Sequence, residues 1–203
     1  MKYAVILVAV FFSCAFGIDT VPSLNVTKYL GRWYQVYADP AVMVTSERNQ
    51  VCVTADYSLR KDEKIGVLNR GRLCKPTGKE SSITGYAYMT NPDEPGKLTL
   101  HLDGVPILAS YWVVKLGPPT FGEKGLYQYS VVTDSKQIML FVLTRDVEIF
   151  KSQYDEEVRS FLKENGFTHF YNKPVATLQD KKCLYGAEKP SPYQTVKEFL
   201  RNE

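Results

Sequence analysis

The chain has 203 residues, of which 44% are hydrophobic and 23% are charged, and its formal net charge is +3. This composition excludes an intrinsically disordered chain, and the near balance of acidic and basic side chains argues against a nucleic-acid binder, which needs a concentrated basic face. The length is that of a single globular domain. The 13 Gly and 11 Pro residues indicate many turns and therefore many short elements.

The first 17 residues have the pattern of a signal peptide. Lys2 supplies the positive charge of such a segment, and residues 4–12 form an apolar stretch too short to span a bilayer. Ala15 and Gly17 then occupy the two small-residue positions of a cleavage site. We therefore predict a signal peptide over residues 1–17 and a secreted, extracellular product. A retained membrane anchor is the alternative.

After the signal peptide we predict one folded domain over residues 18–186 and a loosely attached tail over residues 187–203. The tripeptide Asn25-Val26-Thr27 has the pattern of an N-glycosylation acceptor. In a secreted protein that pattern predicts a glycan on Asn25.

Secretion places the cysteines in an oxidising compartment, where disulfides form. Cys52, Cys74 and Cys183 follow the signal peptide, so three thiols allow one disulfide and one free cysteine. A zinc site is a poor alternative, because the chain has 2 histidines and no Cys-x-x-Cys pair. Neither a Gly-x-Ser-x-Gly elbow nor a His-Glu-x-x-His motif occurs. We predict no metal, no cofactor and no catalytic residue.

The segment between the signal peptide and residue 145 consists of short stretches rich in Val, Ile, Leu, Tyr, Phe and Thr, separated by turn residues. Eight strands with mostly short connections fit an up-and-down antiparallel barrel or a sandwich. An eight-stranded barrel can hold one small ligand. The predicted strands are residues 31–39, 51–60, 64–74, 81–90, 97–103, 110–116, 126–133 and 137–145.

One amphipathic helix follows the strands. Tyr154, Val158, Phe161 and Leu162 recur at helical spacing and form a single apolar stripe. Ser152 is the predicted N-cap, and Asn165-Gly166 is the predicted end. A single helix after a run of strands is expected to lie on the outside of the barrel.

Four segments together resemble the lipocalin family. The first is a short turn followed by Gly31-x-Trp33 at the start of the first strand, and the last ends the eighth strand with Arg145, just before the helix. The middle two are similar to the second and third strands of the apolipoprotein D and bacterial lipocalin group. A Thr-Asp-Tyr motif that the family carries between its sixth and seventh strands is absent from residues 115–125. The matching segments are residues 25–34, 52–59, 64–69 and 143–146.

The resemblance implies an all-β fold, namely an eight-stranded antiparallel up-and-down β-barrel, the lipocalin calyx, with one C-terminal helix packed outside. It places Gly31, Trp33 and Arg145 at a closed end, where the guanidinium packs over the indole in a cation–π contact worth about 0.5–2 kcal/mol. Strand parity agrees, because Arg145 shares the parity of Leu143 and Phe141.

Strand alternation also predicts which side chains point into the barrel. The predicted lining is mostly apolar with a few polar groups, as expected of a pocket for a small hydrophobic molecule. A filled core without a cavity is the alternative. The predicted ligand-binding residues are Gln35, Tyr37, Met43, Ala55, Tyr57, Val67, Asn69, Ala87, Leu98, Leu100, Tyr111, Val113, Met139 and Phe141.

Two apolar loops, residues 40–44 and 105–108, are expected at the open end. Exposed apolar loops are costly unless something covers them. They are predicted to gate the ligand or to touch a membrane, and packing against the barrel rim is the alternative.

The resemblance also bears on the disulfide. The apolipoprotein D group implies a bond between Cys52 and Cys183 with Cys74 free, whereas other lipocalins imply a bond between Cys74 and Cys183. We predict the first pairing and keep the second as the alternative.

The function that the resemblance implies is that of a secreted carrier for a small hydrophobic ligand, such as a fatty acid, sterol or retinoid, without turnover and without nucleic acid. A lipocalin-type enzyme using a barrel thiol is one alternative, motivated by Cys74 and opposed by its outward parity. An interaction protein that meets a membrane or receptor through the open-end loops is the other.

Overall fold

The computed structural model describes residues 17–187. The predicted signal peptide up to residue 16, and the predicted tail from residue 188 onwards, lie outside the described residues. No helix within residues 17–187 is long and apolar enough to cross a membrane.

The described chain alternates strands with a few short helices. A single π-helical turn, Phe150–Tyr154, joins the last two helices. The helices are α1 (Val26–Tyr29), α2 (Pro40–Val44), α3 (Val147–Ile149) and α4 (Asp155–Glu164). The strands are β1 (Gly31–Ala38), β2 (Gln50–Leu59), β3 (Ile65–Leu73), β4 (Glu80–Met89), β5 (Lys97–Leu102), β6 (Ala109–Leu116), β7 (Pro119–Phe121), β8 (Leu126–Tyr127), β9 (Tyr129–Thr133), β10 (Leu140–Thr144) and β11 (Val175–Ala176).

Eight strands, β1 to β6 with β9 and β10, form a closed antiparallel barrel in which each strand pairs with the next. Closure comes from β10, which returns to β1 with Tyr34 opposite Thr144 and Ala38 opposite Phe141. This pairing excludes the sandwich alternative and leaves no free edge on the barrel. The predicted lipocalin-like architecture is therefore confirmed.

The first six predicted strands agree with the structure to within one residue at each end. The seventh prediction, residues 126–133, is wrong as one continuous strand. The chain is interrupted at Gln128, whose backbone N–H donates to the Pro118 carbonyl at 3.1 Å. Residues before this point pair with β7 in a separate hairpin, and only those after it enter the barrel.

The eighth predicted strand begins three residues too early. Asp134 accepts hydrogen bonds from the backbone N–H groups of Ile138 at 2.7 Å and Met139 at 2.8 Å. These bonds hold the segment in a turn, so pairing starts at Leu140. Met139, a predicted lining residue, therefore lies in the turn and not in the strand.

Two hydrophobic clusters stabilise the fold. One lies inside the barrel and contains Trp33, Tyr57 and Leu143. The other lies between the outer face of the barrel and the helix, where Val142 of β10 packs with Val158 and Leu162. Adjacent residues of β10 thus serve opposite faces, as alternation requires. The predicted position of the helix outside the barrel is confirmed.

The predicted helix start at Ser152 is wrong. The helical segment begins after Asp146, whose Oδ1 accepts from the N–H groups of Glu148 and Ile149, both at 2.9 Å. Ser152 lies inside the helix, and its hydroxyl donates back to the Glu148 carbonyl at 3.0 Å. The predicted end is confirmed, since Asn165 follows the last turn and Gly166 adopts φ +82°.

We expect Asp146→Ala to lower the free energy of unfolding by about 1 kcal/mol, because it leaves two helix N–H groups without their acceptor. Ser152→Ala is the matched control and should change the stability by much less. Urea denaturation of both variants measures the difference. An equal loss in the two variants would contradict this assignment of the cap.

The barrel interior as candidate functional site

The closed end of the barrel is organised around Arg145. Its guanidinium carbon lies 3.7 Å from the centre of the Trp33 ring, so the predicted contact is confirmed. Both side chains are buried. The same guanidinium donates to the carbonyls of Arg32 at 2.7 Å, Leu30 at 2.8 Å and Tyr29 at 3.1 Å. A buried charge is stable only when its donors are satisfied, and here backbone carbonyls satisfy them.

The backbone around this plug is specialised. Helix α1 is capped by Asn25, whose side-chain oxygen accepts from the Lys28 N–H at 3.1 Å. Trp33 Nε1 donates to the Tyr29 carbonyl at 2.8 Å. Gly31 has φ +96°, and a Cβ there would lie 3.3 Å from Arg145 Nη1. Glycine is therefore favoured both by its backbone angle and by the close approach of the guanidinium.

Beside the plug lies a chain of four hydroxyl groups. The Tyr29 hydroxyl is 2.8 Å from Ser130 Oγ and 2.7 Å from the Tyr111 hydroxyl. The Tyr111 hydroxyl is in turn 2.9 Å from the Tyr57 hydroxyl. Burial raises the pKa of Tyr29 to about 12 and raises those of Tyr57 and Tyr111 well above their ordinary value, so all three stay protonated. Four hydroxyl hydrogens serve three bonds within the chain, which leaves one donor for another partner.

Most of the predicted lining belongs to the inner cluster. Nine predicted residues lie in it or pack against it, and all nine follow simple strand alternation. They are Ala55, Tyr57, Val67, Ala87, Leu98, Leu100, Tyr111, Val113 and Phe141. Sequence reasoning missed Tyr29, although it stands four residues before Trp33 in the motif on which the resemblance rests.

The prediction for Tyr37 is wrong. A β-bulge between Gln35 and Tyr37 reverses the alternation, so Tyr37 points outwards. Its ring packs in the helix-facing cluster against Phe150, and its hydroxyl donates to Asp155 of α4 at 2.5 Å. The residue fixes the helix to the barrel and does not line the interior.

Gln35 precedes the bulge and keeps the inward parity of Trp33, with 2% of its surface exposed. Its Nε2 donates to Glu47 Oε2 at 2.6 Å and to Thr177 Oγ1 at 3.0 Å. Both partners come from outside the eight strands, one from the segment after α2 and one from the segment after α4. The sequence pattern gave no signal for either.

Burial raises the pKa of Glu47 to about 7, the hydrogen bond from Gln35 opposes that change, and the charge of Asp39 adds to it. Burial also raises the pKa of Asp39. Asp39 caps α2 through the Val42 N–H at 3.0 Å and also accepts from the Leu140 N–H. Two carboxyl groups therefore lie at the open end of the barrel.

Asn69 has the inward parity of Val67 on β3, opposite Ala55, which is itself opposite Trp33. Its amide oxygen is buried and has no hydrogen-bond partner among the described residues. A buried acceptor without a donor is costly, and it marks a position where a ligand or water would bind.

Two glycines on inward positions, Gly71 and Gly85, do not open space inside the barrel. A Cβ on Gly85 would lie 2.0 Å from the His101 carbonyl oxygen, and one on Gly71 would lie 2.2 Å from the Gln50 amide oxygen. These positions are already filled by the neighbouring strands.

The two open-end loops differ. Residues 40–44 form α2, in which Val42 is fully buried, Met43 is partly buried and Val44 is exposed. In the second loop Ile107 and Leu108 are both exposed. Val42 therefore packs against the barrel rim, whereas the apolar side chains of the second loop do not.

The disulfide joins Cys52 and Cys183, as predicted, and Cys74 is free and exposed. The bond fastens the segment after α4 to the barrel. Strand β11 of that segment also pairs with the end of β1. The Cys52 N–H donates to the Leu178 carbonyl at 2.8 Å. The described residues contain no group of three or more His, Cys, Asp or Glu side chains that could hold a metal ion.

A family model described as a lipocalin-like domain matches residues 24–173, which include all eight barrel strands and α4. The chain belongs to the lipocalin family. The outer membrane lipoprotein Blc of Vibrio cholerae is 30% identical over 151 residues, which cover 74% of this lipocalin and 81% of that protein. Temperature-induced lipocalin-1 of Arabidopsis thaliana is 28% identical over 153 residues, 72% of this chain and 76% of that protein.

Apolipoprotein D of Oryctolagus cuniculus is 37% identical over 92 residues, 45% of this lipocalin and 46% of that protein. Among solved structures, lobster apocrustacyanin A1 has a TM-score of 0.56 at 16% identity, covering 91% of this chain and 98% of that one. The tryptamine complex of the amine binding protein of Rhodnius prolixus has a TM-score of 0.54 at 17% identity, covering 92% and 94%. At these identities the structural likeness concerns the fold alone.

We expect Arg145→Lys to lower the free energy of unfolding by about 2–4 kcal/mol, because an ammonium keeps the charge but cannot stack flat on Trp33 while reaching three carbonyls. Arg60→Lys, at an exposed arginine paired with Asp62, is the control and should leave the unfolding midpoint unchanged. Guanidinium denaturation followed by Trp fluorescence measures both variants. A midpoint of Arg145→Lys equal to that of the control would count against the plug.

The raised pKa of Glu47 makes the stability depend on pH. Its folded-state value of about 7 exceeds the ordinary 4.5, so the folded protein retains a proton that the unfolded chain releases. That stabilisation is complete below pH 4.5 and is lost as the pH rises through 7. Between pH 5.5 and pH 8 we expect the wild type to lose about 2 kcal/mol more stability than Glu47→Gln. Parallel pH dependences of the two proteins would rule out this assignment.

Proposed function

We propose that this lipocalin is a secreted carrier that holds a small hydrophobic molecule inside its barrel without changing it chemically. The observation that carries the proposal is the surface that remains accessible on side chains of the inner wall. Leu100, Leu102, Tyr111 and Phe141 pack against the inner cluster and yet keep accessible surface. In a filled core such side chains would be buried completely, so their exposure supports an accessible apolar space.

The polar groups of the interior would orient such a ligand. The hydroxyl chain that ends at Tyr57 has a donor to spare, and the Asn69 amide oxygen needs one. Burying about 300 Å² of ligand at about 25 cal/mol per Å² gives a gross 7–8 kcal/mol. After the costs of association this corresponds to roughly micromolar binding.

The remaining sequence predictions fit the same proposal. The single disulfide is consistent with an extracellular protein. Asn25 is exposed, as a glycosylated residue must be. Cys74 is exposed at the end of β3 and lies outside the inner cluster, which disfavours an enzyme that uses a thiol inside the barrel. We therefore include secretion, glycosylation and the absence of turnover in the proposal.

Ala87→Phe should abolish saturable binding of the neutral fluorescent probe N-phenyl-1-naphthylamine, because the ring would fill the interior beside Leu98 and Leu100. Ser82→Phe, on the same strand but exposed, should bind the probe like the wild type. Circular dichroism confirms that both variants remain folded. Absence of saturable probe binding to the wild type would remove the carrier proposal.

A second function is favoured by the open-end loops. Ile107 is 70% exposed and Leu108 is 58% exposed, and Val44 adds a third exposed apolar side chain at this end of the barrel. Such a group of apolar side chains marks an interaction surface. We propose that this rim touches a membrane or a membrane-bound receptor when the ligand is exchanged.

The double variant Ile107→Ser with Leu108→Ser should float with phosphatidylcholine vesicles several-fold less than the wild type, because it removes apolar area that would enter the headgroup region. Leu59→Ser is the control, since Leu59 is 46% exposed but ends β2, at the closed end of the barrel where β1 begins. Equal flotation of all three proteins would contradict a membrane role for the rim.

A further inference from the structure

Besides the spare hydrogen of the hydroxyl chain, the polar atoms of the interior that lack partners are acceptors. Glu47 binds the Gln35 amide through Oε2, whereas Oε1 has no hydrogen-bond partner within residues 17–187. The Asn69 amide oxygen is buried without a donor. Gln35 cannot supply more, because its two N–H groups already serve Glu47 and Thr177. A ligand that completes this interior must therefore bring hydrogen-bond donors.

The charge at the open end points the same way. The groups that act on Glu47 are Gln35 from β1, which donates to it, and Asp39, whose charge adds to that of Glu47. Thr177, from the segment after α4, accepts from the same Gln35 amide. No Lys, Arg or His of the described residues lies within ion-pair distance of Glu47. Ionised carboxylates in a partly buried site are costly without a positive partner.

We propose that the ligand of this carrier is a hydrophobic amine, with its protonated nitrogen on the Glu47 carboxylate and its apolar part against the inner wall. The inference rests on the proposed carrier function. The carboxylate of Glu47 would also discriminate among hydrophobic ligands. A fatty acid would bring a further negative charge towards Glu47 and Asp39, and a sterol would leave the carboxylate without a counter-charge.

The positions are compatible with one ligand. Gln35 is the next inward residue on β1 after Trp33, on the side of the open end. Asn69 lies level with Trp33, two strands away through Ala55. The Glu47 carboxylate, held by Gln35, is thus one step nearer the mouth than Asn69, with the tyrosines beneath both. An amine entering from the mouth meets the carboxylate first.

The test compares three ligands of equal chain length, decylamine, decanol and decanoate, as competitors of bound N-phenyl-1-naphthylamine at pH 8. We expect decylamine to bind about ten- to a hundredfold more tightly than decanol, and decanoate to bind more weakly than decanol. Glu47→Gln should abolish the preference for the amine, because it weakens the binding of decylamine much more than that of decanol. Glu148→Gln, at an exposed glutamate of α3, should keep the preference.

A second measurement needs no variant. At pH 6 most Glu47 side chains are protonated while decylamine remains charged, so the preference of the wild type for decylamine over decanol should fall by up to about tenfold from its value at pH 8. Equal displacement by decylamine and decanol at pH 8, or a preference that is undiminished in Glu47→Gln or at pH 6, would overturn the amine proposal and leave carriage intact. Failure of the probe and of all three competitors to bind would overturn both proposals.

Discussion

The structure depends on a single buried guanidinium. Arg145 has five N–H donors and almost no access to water, so each donor must find an acceptor inside the protein. The carbonyls of Lys28, Tyr29, Leu30, Arg32 and Tyr127 accept from it. The first four can converge only if α1 ends and β1 begins with the backbone turned at Gly31. The indole of Trp33 covers the face of the same group. One charge thus fixes a helix end, a strand start and the last strand of the barrel together.

Closing one end in this way gives the barrel a direction. The plug and the tyrosine chain lie side by side at the closed end, the apolar wall follows, and the carboxyl groups of Asp39 and Glu47 lie towards the mouth. The interior is therefore graded from hydroxyl groups to negative charge. A ligand with one apolar and one donor-bearing end matches that gradient in only one orientation.

The mouth is built by segments that do not belong to the eight strands. Helix α2 folds inwards at Val42, and the segment after α4 pairs with β1 through the Thr177 N–H and the Val36 carbonyl at 3.0 Å. The disulfide between Cys52 and Cys183 ties that segment to β2. The composition of the site at this end consequently depends on contacts between residues far apart in the chain, such as Gln35 with Thr177.

The sequence by itself determined the first six strands, because alternation and turn residues act locally, and it determined the plug, because Gly31, Trp33 and Arg145 stand in recognisable motifs. The same alternation identified inner-wall residues such as Ala87 and Leu100, where the strands are regular. Only the tertiary structure decided where that regularity fails. The bulge that turns Tyr37 outwards depends on how β1 pairs with the neighbouring strand β10. The start of the helix depends on a choice between two possible caps, Asp146 and Ser152, and the structure has Asp146. The carboxylate of Glu47 is placed by long-range hydrogen bonding, which no periodicity encodes, since it requires a loop to fold over strands already assembled.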